Sequence, residues 1–173
     1  TGFGMSGSIA LEMPKWLKRA GIKIVAIAPD LNHAAAVHAD TWIPIKPNSD
    51  AALYLAIAHV WILEDTYDKS YVDTHTVGFD ALKSHVLGED DGIEKSPSWA
   101  EPITGVPVRT IRALAREWAT KKTTLSVYFG GPKIRGTLSH LMARMEAYVL
   151  AMQGIGKPGR QFLRTGAPSF YKK

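Results

Sequence analysis

Apolar positions along the chain follow two spacings, and each changeover falls at a glycine, a proline or a short polar run. Residues 8–20 (SIALEMPKWLKRA) have helical spacing with Pro14 inside it, so a helix kinks or begins there, and Gly21 supplies its stop. Residues 22–28 (IKIVAIA) are a short β-branched run of the kind found in parallel strands covered on both faces. A helix, a glycine and a buried strand make one half of an α/β unit. The alanine-rich residues 32–39 read as a short helical turn, residues 41–45 (TWIPI) as a second strand, and Pro47 as its end. Asn48 or Ser49 is then placed to cap a helix that starts near Asp50 and runs to about Glu64. That helix is apolar almost all round, which predicts burial against a sheet.

From 65 to 104 the texture changes to loops with short helices at 69–74, 79–87 and 96–103. Ser96 followed by Pro97 forms an N-cap and first-turn pair. Pro107 opens an amphipathic helix whose stripe is Ile111, Leu114, Ala115 and Trp118, with Arg109, Arg112 and Arg116 opposite, facing solvent or another domain. Residues 123–129 (TTLSVYF) read as a third strand. GGPKIRG follows, and then a helix over 137–153 with Leu138, Leu141, Met142, Met145 and Val149 inward. The glycine- and proline-rich remainder is expected to be extended.

Strands that each run into a polar or glycine-rich turn before a helix lay out an open, mostly parallel α/β sheet flanked by helices, Rossmann-like in order. Ligands of such sheets bind outside the carboxyl ends of the strands. The expected organisation is one domain over residues 1–153, with a helical, loop-rich insertion at about 65–104, and an extended segment over 154–173 leading to a next domain. Three turns collect at the sheet edge: Pro29 to Asn32, Lys46 to Asp50, and Gly130 to Pro132. A carboxylate there accepts two hydrogen bonds at once, which suits ribose hydroxyls, and equally the ring N–H and amino group of guanine. Taken alone, Asp50 at a helix start serves the helix dipole more often than a ligand, and Asp30 and Asn32 are ordinary turn residues.

Composition narrows the classes. The chain has 173 residues, 46% hydrophobic, enough for one domain with a sizeable core. A net charge of +5 makes the surface basic, but the basic residues are scattered, which argues against a nucleic-acid groove. The absence of cysteine excludes a disulfide framework, a thiolate zinc site and a cysteine-held iron–sulfur cluster within these residues. The longest apolar run, 51–63, falls short of the roughly 20 residues that span a bilayer. The opening TGFGMSGS lacks an initiator Met and the order of a signal peptide, so the chain reads as an internal fragment, with a cytoplasmic and a periplasmic location equally open. GGPKIRG has neither the Lys-Ser/Thr end of a phosphate loop nor G-x-G-x-x-G spacing. His33, His38 and Asp40 match no standard metal spacing, and His59 reads as a hydrogen-bonded core residue. No metal ligand and no catalytic residue is assigned.

A resemblance to a known family adds to this. Ala39-Asp40, Trp42 to Asp50 (WIPIKPNSD), the apolar helix from Ala51, Tyr67-Asp68, Tyr71-Val72 and Thr76 to Asp80 resemble, in order and spacing, a segment of the molybdenum or tungsten bis(molybdopterin guanine dinucleotide) oxidoreductases, the dimethyl-sulfoxide-reductase superfamily. Residues 98–119 and MQGIGKPG resemble two further segments of that family. The resemblance implies a Rossmann-like domain that binds the guanosine end of one pterin cofactor. Asp50 takes the place of the family's guanine-contacting aspartate, with Lys46, Asn48 and Ser49 in the same turn and Gly130 and Gly131 in the neighbouring one. Two positions depart from the pattern. The family's Asp-Pro-Arg after its strand is Ala28-Pro29-Asp30 here, so Asp30 or Asn32 must supply the ribose-binding group, and Asn48 replaces a glycine, as asparagine can where φ is positive. These departures resemble the acetylene hydratase and pyrogallol transhydroxylase branch. What the family further implies is Mo or W chemistry, a 4Fe–4S cluster held outside this segment, and the enzyme's remaining domains and an iron–sulfur electron-transfer subunit as partners. The rival class is a non-enzymatic nucleotide-binding or scaffold domain of a multi-subunit complex.

Overall fold

A computed structural model of the chain describes residues 8–31, 33–127, 133, 136 and 138–164. Helix α1 (Ser8–Arg19) contains Pro14 and ends where Gly21 adopts φ 74°. There the Ile22 N–H donates to the Leu17 carbonyl and the Gly21 N–H to the Lys18 carbonyl, each at 3.0 Å, which meets the orphan carbonyls of the last turn. The chain then forms β1 (Val25–Ala28), the short α2 (His33–His38) and β2 (Thr41–Pro44). β1 and β2 are parallel, with Val25 opposite Thr41 and Ala28 opposite Pro44.

Helix α3 (Asp50–Leu63) is the centre of the core. Leu53, Ala56, Ile57, Ala58 and Trp61 are each at most 1% exposed. Its partners are helices: α5 (Phe79–Leu87), α6 (Pro97–Thr104), α7 (Val108–Thr120) and α8 (Ser139–Met152) all pack on it, while α4 (Lys69–His75) packs on α8. All-round apolarity thus gives the depth of burial, and the cover is mainly helical: the strand pair joins the same core through Ile43, with Val25 and Ile27 packed against it. On α7 the expected stripe is inward, with Ile111, Ala115 and Trp118 buried. The Trp61 indole N–H donates to the Ala115 carbonyl at 2.8 Å and its ring meets Trp118 edge-on at 5.2 Å. Of the arginine face, Arg116 clasps Glu64 through Nε and Nη2.

A second parallel pair joins β3 (Leu125–Val127) to β4 (Phe162–Arg164) inside the segment expected to be extended. Where the sequence predicts one open sheet, the strands of the described residues thus form two separate parallel pairs. Leu138, expected inward, is 61% exposed because it precedes the first residue of α8 and escapes the helical stripe. Among the described residues no helix is long and apolar enough to cross a membrane.

Candidate functional site

The parallel register carries residues 29–31 and 45–50 off the same, carboxyl edge of the β1–β2 pair. The edge is tied across: the Trp42 indole N–H on β2 donates to the carbonyl of Ala28, the last residue of β1, at 3.1 Å. Asp30 is exposed just beyond it. Asn32, Gly130 and Gly131, the other candidates of the neighbouring turns, lie outside the described residues.

The turn before α3 is built residue by residue. The Lys46 N–H donates to the Thr104 carbonyl and the Lys46 ammonium to the Pro102 carbonyl, each at 2.8 Å, while its stem lies on Gly105. These bonds pin the turn to the end of α6. Asn48 has φ 63°, the left-handed conformation expected where it replaces glycine. Ser49 holds the N-cap position but is not a side-chain cap: its hydroxyl donates to the Lys46 carbonyl at 2.6 Å and closes the turn. The first amides of α3 are therefore not consumed by a serine oxygen, and the turn, rather than the helix end, absorbs the hydroxyl.

Asp50 begins α3 and is half-buried. Desolvation pushes its carboxyl above the ordinary range, and among the described residues only its own backbone N–H donates to it. Two groups share its electrostatic neighbourhood. Tyr54, one turn on, is buried and its phenol is pushed up by burial, then by Glu146 and Asp50. Glu146 on α8, 3% exposed, is raised by burial and by Asp50 against the opposing pull of Lys133, whose ammonium contacts its Oε2. The sequence reading missed Glu146. The signal was a carboxylate among the apolar positions Met142, Met145 and Val149.

A cavity of about 480 Å³ opens beside the turn, lined by Asn48, Ser49, Ala52, Trp99, Ile103, Gly136 and Met142 among others. Asp50 is not among its lining residues, so the acid and the hollow flank the turn separately. A second cavity of about 510 Å³ shares Ala51, Leu55, His85 and Leu141 with the first and continues to Arg144 and Tyr148. His85, Asp90 and Asp91 place ligand-type atoms within 4.8 Å of one another. Both acids already have partners, Asp90 the His85 Nδ1 at 3.0 Å and Asp91 the Lys95 ammonium at 2.6 Å. Asp40 is likewise committed, to Lys18 and to the Ile24 N–H. His59 is buried and bonds Glu94 at 2.5 Å, as a core histidine should.

A model of the molybdopterin oxidoreductase family matches residues 8–165. The chain belongs to that family. This molybdopterin oxidoreductase chain is 43% identical over 163 residues to the pyrogallol hydroxytransferase large subunit of Pelobacter acidigallici, a match covering 91% of this chain and 19% of that protein. It is 34% identical to a dimethyl sulfoxide/trimethylamine N-oxide reductase of Rhodobacter capsulatus, over 84% of this chain and 18% of that one. Among solved structures, acetylene hydratase from Pelobacter acetylenicus superposes with a TM-score of 0.69 at 28% identity, covering 80% of this chain and 18% of that one. The chain thus spans about a fifth of the length of the relatives it matches.

Proposed function

We propose that this chain binds the guanosine end of a molybdopterin guanine dinucleotide as the Rossmann-like domain, residues 1–153, of a larger enzyme. The observation that carries the reading is Asp50: a half-buried carboxyl at the carboxyl edge of a parallel strand pair, with no donor beyond its own N–H among the described residues. Such a group has an unmet demand for two donors. The ring N–H and exocyclic amino group of guanine supply them side by side.

The residues around it fit the same ligand. Asn48 gives the left-handed turn that aims Asp50, Ser49 closes it, and Lys46 anchors it to α6. Asp30 stands on the same edge, where ribose hydroxyls would be met, and Asn32, Gly130 and Gly131 complete the proposed set. When bound, the cofactor supplies oxygen-atom transfer, hydroxyl transfer or hydration chemistry at Mo or W. The contribution of this chain is to hold and orient its nucleotide end. The metal's protein ligand and a 4Fe–4S cluster belong to the enzyme's remaining domains, with an iron–sulfur subunit as electron partner.

The test is Asp50→Asn in the full-length protein, measured as GMP released by acid hydrolysis and as bound Mo or W. A hydrogen bond to a charged group is worth about 1.5–3 kcal/mol, so retention of the guanine nucleotide is expected to fall about 10- to 100-fold. Loading equal to wild type would overturn the guanine assignment. Guanine binding by a full-length protein that carries neither pterin nor metal would assign the chain instead to a nucleotide-binding scaffold.

A further inference from the structure

We propose that Glu146, acting through Lys133, is a positioning residue for guanine recognition: it holds Lys133 on α8, three residues before the Gly136 that rests on Asn48, and thereby sets where Asp50 stands. The inference rests on the guanine reading of Asp50 given above. It starts from a residue that helix packing alone would not select. Glu146 sits in the buried face of α8 among methionines and a valine, and both partners of its ion pair are largely buried, with side chains 4% and 16% exposed. Its second oxygen, Oε1, has no hydrogen-bond partner among the described residues. Taking such a pair out of water is costly, and apolar residues of similar volume in its place are often neutral or stabilising. Stability is therefore a poor account of its presence. Geometry is a better one, because a buried pair is screened little by salt and fixes one position of Lys133 relative to α8.

That position matters three residues later. A Cβ built on Gly136 would lie 3.2 Å from Cγ and Oδ1 of Asn48, so the glycine backbone rests directly on the asparagine carboxamide. The Gly136 carbonyl also accepts from the Ser139 N–H at 3.2 Å, tying it to the start of α8. Helix α8 thus holds two residues, Lys133 by charge and Gly136 by backbone. Gly136 in turn presses on the left-handed residue two places before Asp50. Asp50 also acts electrostatically on Glu146, which puts the strut and the acid it positions in one neighbourhood.

The experiment compares Lys133→Met/Glu146→Met, Asp50→Asn and wild type in the full-length protein prepared free of cofactor. Affinities for GMP and IMP are measured by calorimetry, and stability by urea denaturation. IMP lacks the exocyclic amino group, so the GMP:IMP ratio reports the reach of Asp50. The double methionine variant is expected to be at least as stable as wild type, yet to bind GMP about tenfold more weakly with a GMP:IMP ratio near one. The charge-reversed pair, Lys133→Glu/Glu146→Lys, is expected to restore part of the ratio; it also serves as the readout should the methionine variant fail to fold. If the double variant keeps the wild-type ratio while Asp50→Asn loses it, the positioning role is overturned and the guanine reading stands. If Asp50→Asn also keeps it, the guanine reading itself has failed and Glu146 has nothing to position.

Discussion

Trp42 and Ala28 are joined by a 3.1 Å hydrogen bond from an indole N–H to the terminal carbonyl of the neighbouring strand. The bond spans the edge from which both candidate turns depart, and the pair has only four residues per strand to hold it together. Trp42→Phe keeps an aromatic ring and removes the donor. It should cost about 1 kcal/mol, the usual net worth of one intramolecular hydrogen bond. Urea denaturation measures the loss, and faster amide exchange at residues 25–28 would locate it. Unchanged exchange there would mean that the indole contributes packing alone.

Asn48 makes a sharper backbone prediction. Its φ of 63° costs an alanine about 1 kcal/mol and a β-branched residue more, whereas glycine adopts it freely. Asn48→Gly is therefore expected to be about as stable as wild type, Asn48→Ala less stable, and Asn48→Val the least stable of the three, read from urea midpoints. An alanine variant as stable as wild type would show that the turn relaxes out of the left-handed region.

One ion pair makes a separable contribution to the pH dependence of stability. Asp68 caps α4 by accepting from the Tyr71 N–H and also contacts the Lys157 ammonium, and the hydrogen bond from Lys157 holds its carboxyl below the ordinary 3.8. A carboxyl depressed in the folded state adds stability above its unfolded value and loses it as pH falls through the folded one. Asp68→Asn retains an N-cap acceptor and removes the charge. The gap between wild type and variant should be about 0.5–1 kcal/mol at neutral pH, the range of a partly exposed pair. It should close as pH falls below 3.8. A gap that persists in acid would assign the effect to capping.

Much of this chain is legible in the residues alone. The helix at 79–87 and the Ser96–Pro97 start stand at their expected positions, since caps and prolines act locally. The left-handed Asn48 is likewise as expected, because one residue type in one family position states a backbone requirement. Ser49 differs from its expected capping role. Its hydroxyl donates to the Lys46 carbonyl instead, and that carbonyl is placed by a turn that α6 holds from a distance. The meeting of Glu146 with Asp50 is hidden from the sequence for the same reason: only packing brings a charge from α8 near a helix start far earlier in the chain.

By itself, then, the sequence determined where elements begin and end, which faces are apolar and which family the chain joins, because these depend on short-range spacing and residue type. Only the tertiary structure decided that α3 is enclosed mainly by helices, that the strands pair in two separate ladders, and that Asp50, Glu146 and Lys133 share one neighbourhood. Hydrophobic burial is non-directional and fixes no partner. Which buried groups meet is settled when distant segments must fill the same space and satisfy one another's charges.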